Sequence, residues 1–133
     1  MQLLTEKEAA SFCDFIDRHD FFYICGHKEP DGDCVCSCIA LGMLVQKKGK
    51  EFQLLSAGPF KRTEIKQYED RFSPSMRFLS EEERKKSALI ITDCSEYARL
   101  GDIDGDLKNL DTCVIDHHKT AAAPEGALCI IDS

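Results

Sequence analysis

Apolar residues fall in two rhythms along the chain. Phe21-Phe22-Tyr23-Ile24-Cys25, Ala88-Leu89-Ile90-Ile91 and Thr112-Cys113-Val114-Ile115 are uninterrupted runs of strand length, the pattern of strands buried on both faces. Phe52-Gln53-Leu54-Leu55, stopped by Gly58-Pro59, and Ala127 to Ile131 add two more. Between these runs the spacing turns helical. Thr5-x-x-Glu8 forms a capping-box sequence, followed by Ala9, Phe12, Phe15 and Ile16 to about Arg18. A second helix is expected from about Asp33 to Lys47, packing on Val35, Ile39, Gly42, Met43 and Val45 and ended by Gly49. A third is expected over Thr63 to Phe72 on Ile65, Tyr68 and Phe72. Ser80-Glu81-Glu82-Glu83 caps a short polar helix ahead of the run at 88–91, and a loop or short helix then reaches about Leu110.

Strands that alternate with helices predict an α/β fold on a mostly parallel sheet. Right-handed crossovers bring the C-terminal strand ends to one side, where such sheets bind ligands. At 133 residues the chain reads as one domain with a sizeable core. The longest weakly polar run, Cys34 to Val45, is too short to span a bilayer, so no membrane partner is expected. The first eight residues include Glu6 and Glu8 where a signal peptide would be basic, and no apolar stretch follows them. The expected compartment is therefore the cytoplasm.

The ends of the three uninterrupted runs carry the chemistry. The first leads into His27-Lys28-Glu29-Pro30-Asp31-Gly32-Asp33, the second into Thr92-Asp93-Cys94-Ser95 and the third into Asp116-His117-His118. Taken singly, each has a plain reading: His27 as a hydrogen-bonded structural histidine, Asp31-Gly32 as a turn, Asp116 as a helix cap. Together they gather carboxylates and imidazoles at the ends of core strands, and burying such groups unpaired is costly. A divalent cation compensates them. Oxygen and nitrogen donors suit Mn²⁺ or Fe²⁺, and Mg²⁺ less well.

In order and content these motifs resemble the DHH phosphoesterase superfamily, whose signature is His-x-x-Pro-Asp-Gly-Asp, an isolated Asp after a later strand, and Asp-His-His. Arg99-Leu100-Gly101 and Lys119-Thr120 are smaller matches, and the resemblance runs from about residue 20 to the C-terminus. It implies a three-layer sandwich around a mostly parallel sheet, the N-terminal domain of such enzymes. It also implies two Mn²⁺ ions, with His27 and Asp31 on the first, Asp33 and His117 on the second, and Asp93 bridging them. His118 is then a phosphate or proton donor, and Asp116 orients an imidazole. Water activated between the two metals would hydrolyse phosphoester bonds. The nearest chemical neighbours are exonucleases of short oligonucleotides (nanoRNase-like, with nucleoside 3′,5′-bisphosphate phosphatase activity) and cyclic-dinucleotide phosphodiesterases. Inorganic pyrophosphatase is a more distant alternative. Such families carry a further acidic ligand and a smaller substrate-binding domain beyond Asp-His-His. The expectation is hence a partial domain over residues 1–133, and the competing class is a metal- or nucleotide-binding fragment without turnover.

Charge narrows the partner. A formal net charge of −7 argues against gripping long duplex nucleic acid, whereas bound cations reverse the local field for a small phosphorylated substrate or short oligonucleotide. Arg62, in Gly58-Pro59-Phe60-Lys61-Arg62, is a candidate phosphate contact, with a surface role the stronger expectation. Asp102-Ile103-Asp104-Gly105-Asp106 lacks the Gly and Glu of a calcium loop and reads as solvated. His19 reads as structural. Cys25, Cys94, Cys113 and Cys129, in or beside strand-like runs, read as small buried hydrophobes, and the eight cysteines are expected to be structural, with neither disulfides nor a zinc site, because no Cys-x-x-Cys or Cys-x-x-His pair occurs. Cys34, Cys36 and Cys38 alternate on the second helix and cannot easily chelate together, and Cys94 is the one whose oxidation would matter beside Asp93.

Overall fold

A computed structural model describes residues 6–94, 96–116 and 128–131. The elements in chain order are α1 (Glu6–Asp17), β1 (Phe21–Cys25), α2 (Gly32–Lys47), β2 (Glu51–Leu55), a 3₁₀ helix (Lys66–Arg71), α3 (Glu81–Lys85), β3 (Ser87–Thr92), a second 3₁₀ helix (Tyr97–Leu100), β4 (Asp111–Asp116) and β5 (Leu128–Ile131). All four strand pairings are parallel, in the order β2-β1-β3-β4-β5.

β1 and β3 are buried at every position, as their unbroken apolar runs require. Their alternate residues feed two cores. Phe22, Ile24, Ala88, Ile90 and Cys113 face Phe12, Phe15 and Ile16 of α1 and Cys34, Cys38 and Val45 of α2. Phe21, Tyr23, Leu89, Ile91 and Val114 face Leu100, Leu107 and Leu110, with Met76 and Leu79 against them. The sheet is thus the middle of three layers. Long helices cover one face, and the second 3₁₀ helix and connecting segments cover the other. Among the described residues no helix is long and apolar enough to cross a membrane.

The punctuation follows the side chains. α2 ends in a Schellman turn, with Gly49 at φ +80°, its N–H donating to Gln46 O (2.9 Å) and Lys50 N–H donating to Val45 O (3.1 Å). Ser80 and Glu83 close a reciprocal capping box on α3. Thr5, expected to cap α1, lies outside the described residues.

The helix expected over Thr63 to Phe72 is instead a 3₁₀ segment over Lys66–Arg71. Ile65 N–H donates to Arg62 O, Tyr68 N–H to Ile65 O and Phe72 N–H to Glu69 O, all three residues back. Of its apolar trio only Ile65 is fully buried, and Phe72 leaves in extended backbone to stack on Phe60 at 5.3 Å. Tyr68 and Phe72 are only half-buried where they pack on the small Val35–Phe60–Ile65 cluster, too small a core to hold a longer α-helix.

His19 is structural, as expected, but it is buried rather than polar-exposed. It is 3% exposed, its Nδ1 lies 2.7 Å from Phe15 O, and its Nε2 pairs with Asp111 at 2.9 Å, tying the end of α1 to the start of β4.

Candidate metal centre

The strand order reverses at β1. The chain leaves β1 through α2 to β2 on one side, and β3 then adds on the other. At such a switch point the connections diverge and leave a crevice beyond the strand ends. Residues that follow β1 and β3 therefore face one another, and these are His27 and Asp93.

His27 is fixed at both ring nitrogens. Nδ1–H donates to Lys28 O at 2.8 Å, and Nε2 lies 3.2 Å from Asp93 Oδ2. Asp93 is 8% exposed and sits at φ +65°, its N–H donating to Ile115 O at 3.0 Å. Left-handed backbone is uncommon outside glycine, though Asp and Asn tolerate it. Here it turns the chain at the end of β3 while Asp93 stays bonded to β4. Asp31, the third expected ligand, places Oδ1 3.9 Å from His27 Nε2. The same oxygen caps α2 by accepting the Cys34 N–H at 2.9 Å.

The other expected residues are placed as follows. Asp33 lies exposed in the first turn of α2, outside the cluster formed by His27 and Asp93. Asp116 ends β4 on the same sheet edge. His117 and His118 lie outside the described residues, as do Ser95, Lys119 and Thr120. Arg62 is exposed in the segment after β2, whose Lys61 reaches Glu29 at 3.0 Å, so this segment does meet the loop that carries the first motif. The 102–106 stretch is mostly exposed, as a solvated loop should be.

Two residues join the site that were not singled out from the sequence. Cys34 Sγ lies with one ligand atom each of His27 and Asp93, all three within 4.8 Å of one another. The expectation that Cys34 is purely structural is therefore incomplete. Its partners are a histidine and an aspartate from other strand ends, which a search for cysteine pairs does not reveal. The other is Lys28. With Ala57, Gly58, Ala98, Gly101 and Asp102 it lines a cleft of about 390 Å³, and its N–H holds Arg99 O at 2.7 Å.

The hydrogen bond to Asp93, seconded by one to Cys34, pushes the His27 imidazole up to about 11 against the opposing effect of burial. Cys34 moves the other way, held below the usual thiol range by a hydrogen bond from Cys38 and then by His27. Because the folded pKa of His27 is raised, its contribution to stability is fully present below the unfolded value near 6.5 and declines as pH climbs toward about 11. In a Cys34→Ala background, which removes the opposing titration, urea unfolding in chelator should show stability falling from pH 6 to 9. Adding His27→Gln should flatten that slope. Parallel curves for the two proteins would contradict the assignment.

The donor set fits a divalent ion: a buried carboxylate, an imidazole with its second nitrogen anchored to a carbonyl, and a thiol, drawn from two strand ends and a helix start.

The family model described as "DHH family, N-terminal domain" matches residues 21–132. A probable manganese-dependent inorganic pyrophosphatase of Clostridium acetobutylicum is 35% identical over 102 residues, covering 77% of this chain and 32% of that protein. The chain thus spans about a third of the length of this relative. The crystal structure of an exopolyphosphatase-related protein from Bacteroides fragilis superposes with a TM-score of 0.69 at 16% identity, covering 98% of this chain and 40% of that one. At that identity the likeness speaks for the fold.

Proposed function

The chain belongs to the DHH family, and on that premise we propose that it is the metal-binding part of a hydrolase of phosphoric esters or anhydrides. The observation that carries this reading is the His27–Asp93 pair, 3.2 Å apart at the switch point of a parallel sheet. In this reading His27, Asp31 and Asp93 hold the first divalent ion, and Asp33 and His117 complete a second with Asp93 shared. What a bound Mn²⁺ supplies there is Lewis acidity toward a phosphoryl oxygen and a more acidic water.

The chain's own residues supply the rest. The Lys28 carbonyl fixes the His27 tautomer and ring plane. The left-handed turn at Asp93 presents its carboxylate to His27. Lys28, next to His27 in the chain, lines the cleft, and its ammonium would complement a substrate phosphate there. His118 carries a proton to or from the phosphoryl group, and Asp116 orients a neighbouring imidazole.

The substrate class we favour is a small nucleotide or short oligonucleotide. A cleft of about 390 Å³ is of the size that takes a small ligand. Inorganic pyrophosphate is the second reading, favoured by the name of the Clostridium acetobutylicum relative.

The test is Mn²⁺-dependent release of phosphate from pyrophosphate and from adenosine 3′,5′-bisphosphate, and of mononucleotide from a dinucleotide. His118→Ala should lower the rate on the true substrate by about 10²–10⁴-fold, the usual range for a general acid or base. Turnover that survives chelation and is indifferent to His118→Ala would overturn the reading. Preference among the three substrates decides between nucleotide and pyrophosphate.

A further inference from the structure

The third member of the cluster at the sheet edge is a thiol. Cys34 stands in the first turn of α2, is 2% exposed, and hydrogen-bonds to His27. Helix side chains tilt toward the helix N-terminus, so this position aims Sγ back over the connecting loop toward the end of β1. Gly26 makes the room for it. A Cβ at residue 26 would stand 2.1 Å from the Cys34 sulfur and 3.4 Å from Thr92 O. Cys36, two residues on, is exposed, and Cys38 lies outside the three-residue cluster.

We propose that Cys34 is a sulfur ligand of this metal centre, giving a His27–Cys34–Asp93 donor set that favours zinc, cobalt or ferrous iron over manganese and magnesium. The proposal rests on the metal-centre reading above and goes beyond it by assigning a donor and an ion preference. Thiolate donors select softer ions, whereas all-oxygen sites suit Mg²⁺ and Mn²⁺. Bond lengths of about 2.0–2.3 Å to zinc put tetrahedral donors roughly 3.3–3.6 Å apart. The His27–Asp93 separation of 3.2 Å is already close to that. With all three donor atoms within 4.8 Å, closure on an ion needs a shift of about 1 Å, which rotation of the cysteine side chain and small backbone adjustment can supply.

The experiment is an anaerobic titration of metal-free protein with Co²⁺, in a background with the exposed Cys13 and Cys36 replaced by Ser. The expected result is a sulfur-to-cobalt charge-transfer band in the near ultraviolet, retained in Cys38→Ser and lost in Cys34→Ser. Zn²⁺ affinity should fall about tenfold or more in Cys34→Ser, while Mn²⁺ affinity moves by less than about threefold. Should circular dichroism show that Cys34→Ser does not fold, protection of Cys34 from alkylation by Zn²⁺ in the parent, read by peptide mass spectrometry, reports the same contact. Cobalt binding with visible bands but no charge transfer, or no protection of Cys34, would overturn the sulfur ligand and leave the metal centre standing. Absence of binding for Co²⁺, Zn²⁺ and Mn²⁺ alike would overturn both.

Discussion

Replacing Asp93 by Asn is expected to weaken divalent-metal binding by more than about a hundredfold. Loss of a group that merely orients a metal ligand already costs about 10–100-fold. Asp93 is more directly placed, since its carboxylate lies 3.2 Å from His27 Nε2 and within 4.8 Å of Cys34 Sγ. The substitution is clean because Asn tolerates the φ of +65° that residue 93 adopts, whereas Ala there would add backbone strain to the loss of charge. It also removes the partner that keeps His27 protonated, so a smaller metal affinity cannot be blamed on a more stubborn proton. Calorimetry on metal-free protein reads the effect, with Asp33→Asn for comparison. If Asp93 serves two ions, its loss must weaken binding more than loss of the exposed Asp33. An isotherm for Asp93→Asn that overlays the unaltered protein would remove the centre from the chain.

The second large effect belongs to a glycine away from the donors. Gly101 follows the second 3₁₀ helix at φ +80° and ψ −159°, a region populated almost only by glycine. A Cβ there would meet Ala57 Cβ at 2.8 Å and Lys28 Cβ at 3.0 Å. Gly101→Ala therefore combines backbone strain with overpacking, together about 2–4 kcal/mol of destabilisation. The damage falls on the loop whose Arg99 carbonyl holds the Lys28 N–H, next to His27. Gly32→Ala is the matched control. It opens α2 with nothing within 4 Å of where a Cβ would stand, and it should be neutral or stabilising by up to about 1 kcal/mol. Equal urea midpoints for the two variants would refute the strain at Gly101.

Much of this architecture was legible before any coordinates. A strand buried on both faces has no choice but to read as an unbroken apolar run, so β1, β3 and β4 declared themselves. Polar residues at their ends then stood out against that background. The order of the strands is less visible in a sequence, yet right-handed parallel crossovers leave few alternatives, and the meeting of His27 with Asp93 followed from them. What stayed hidden depended on side-chain direction across the sheet. His19 reads as the frayed end of α1 until Asp111, 92 residues on, closes over it. Cys34 reads as one of three alternating helix cysteines until the loop through Pro30 folds its sulfur toward β1. The spacing over 63–72 reads as a longer helix because spacing alone cannot tell how deeply each apolar residue is buried.

Asp31 illustrates how narrowly such a loop can be written. One of its carboxylate oxygens both caps α2 and faces His27 at 3.9 Å. The two roles ask for different properties. Asn would keep the cap, since it serves as well as Asp at that position, but would surrender the negative charge. Glu would keep the charge on a longer side chain, and Glu is not among the residues that cap helices well. Ser would cap and contribute no charge at all. Drift at this position is therefore confined by two independent demands on a single oxygen, and of the common capping residues only Asp meets both.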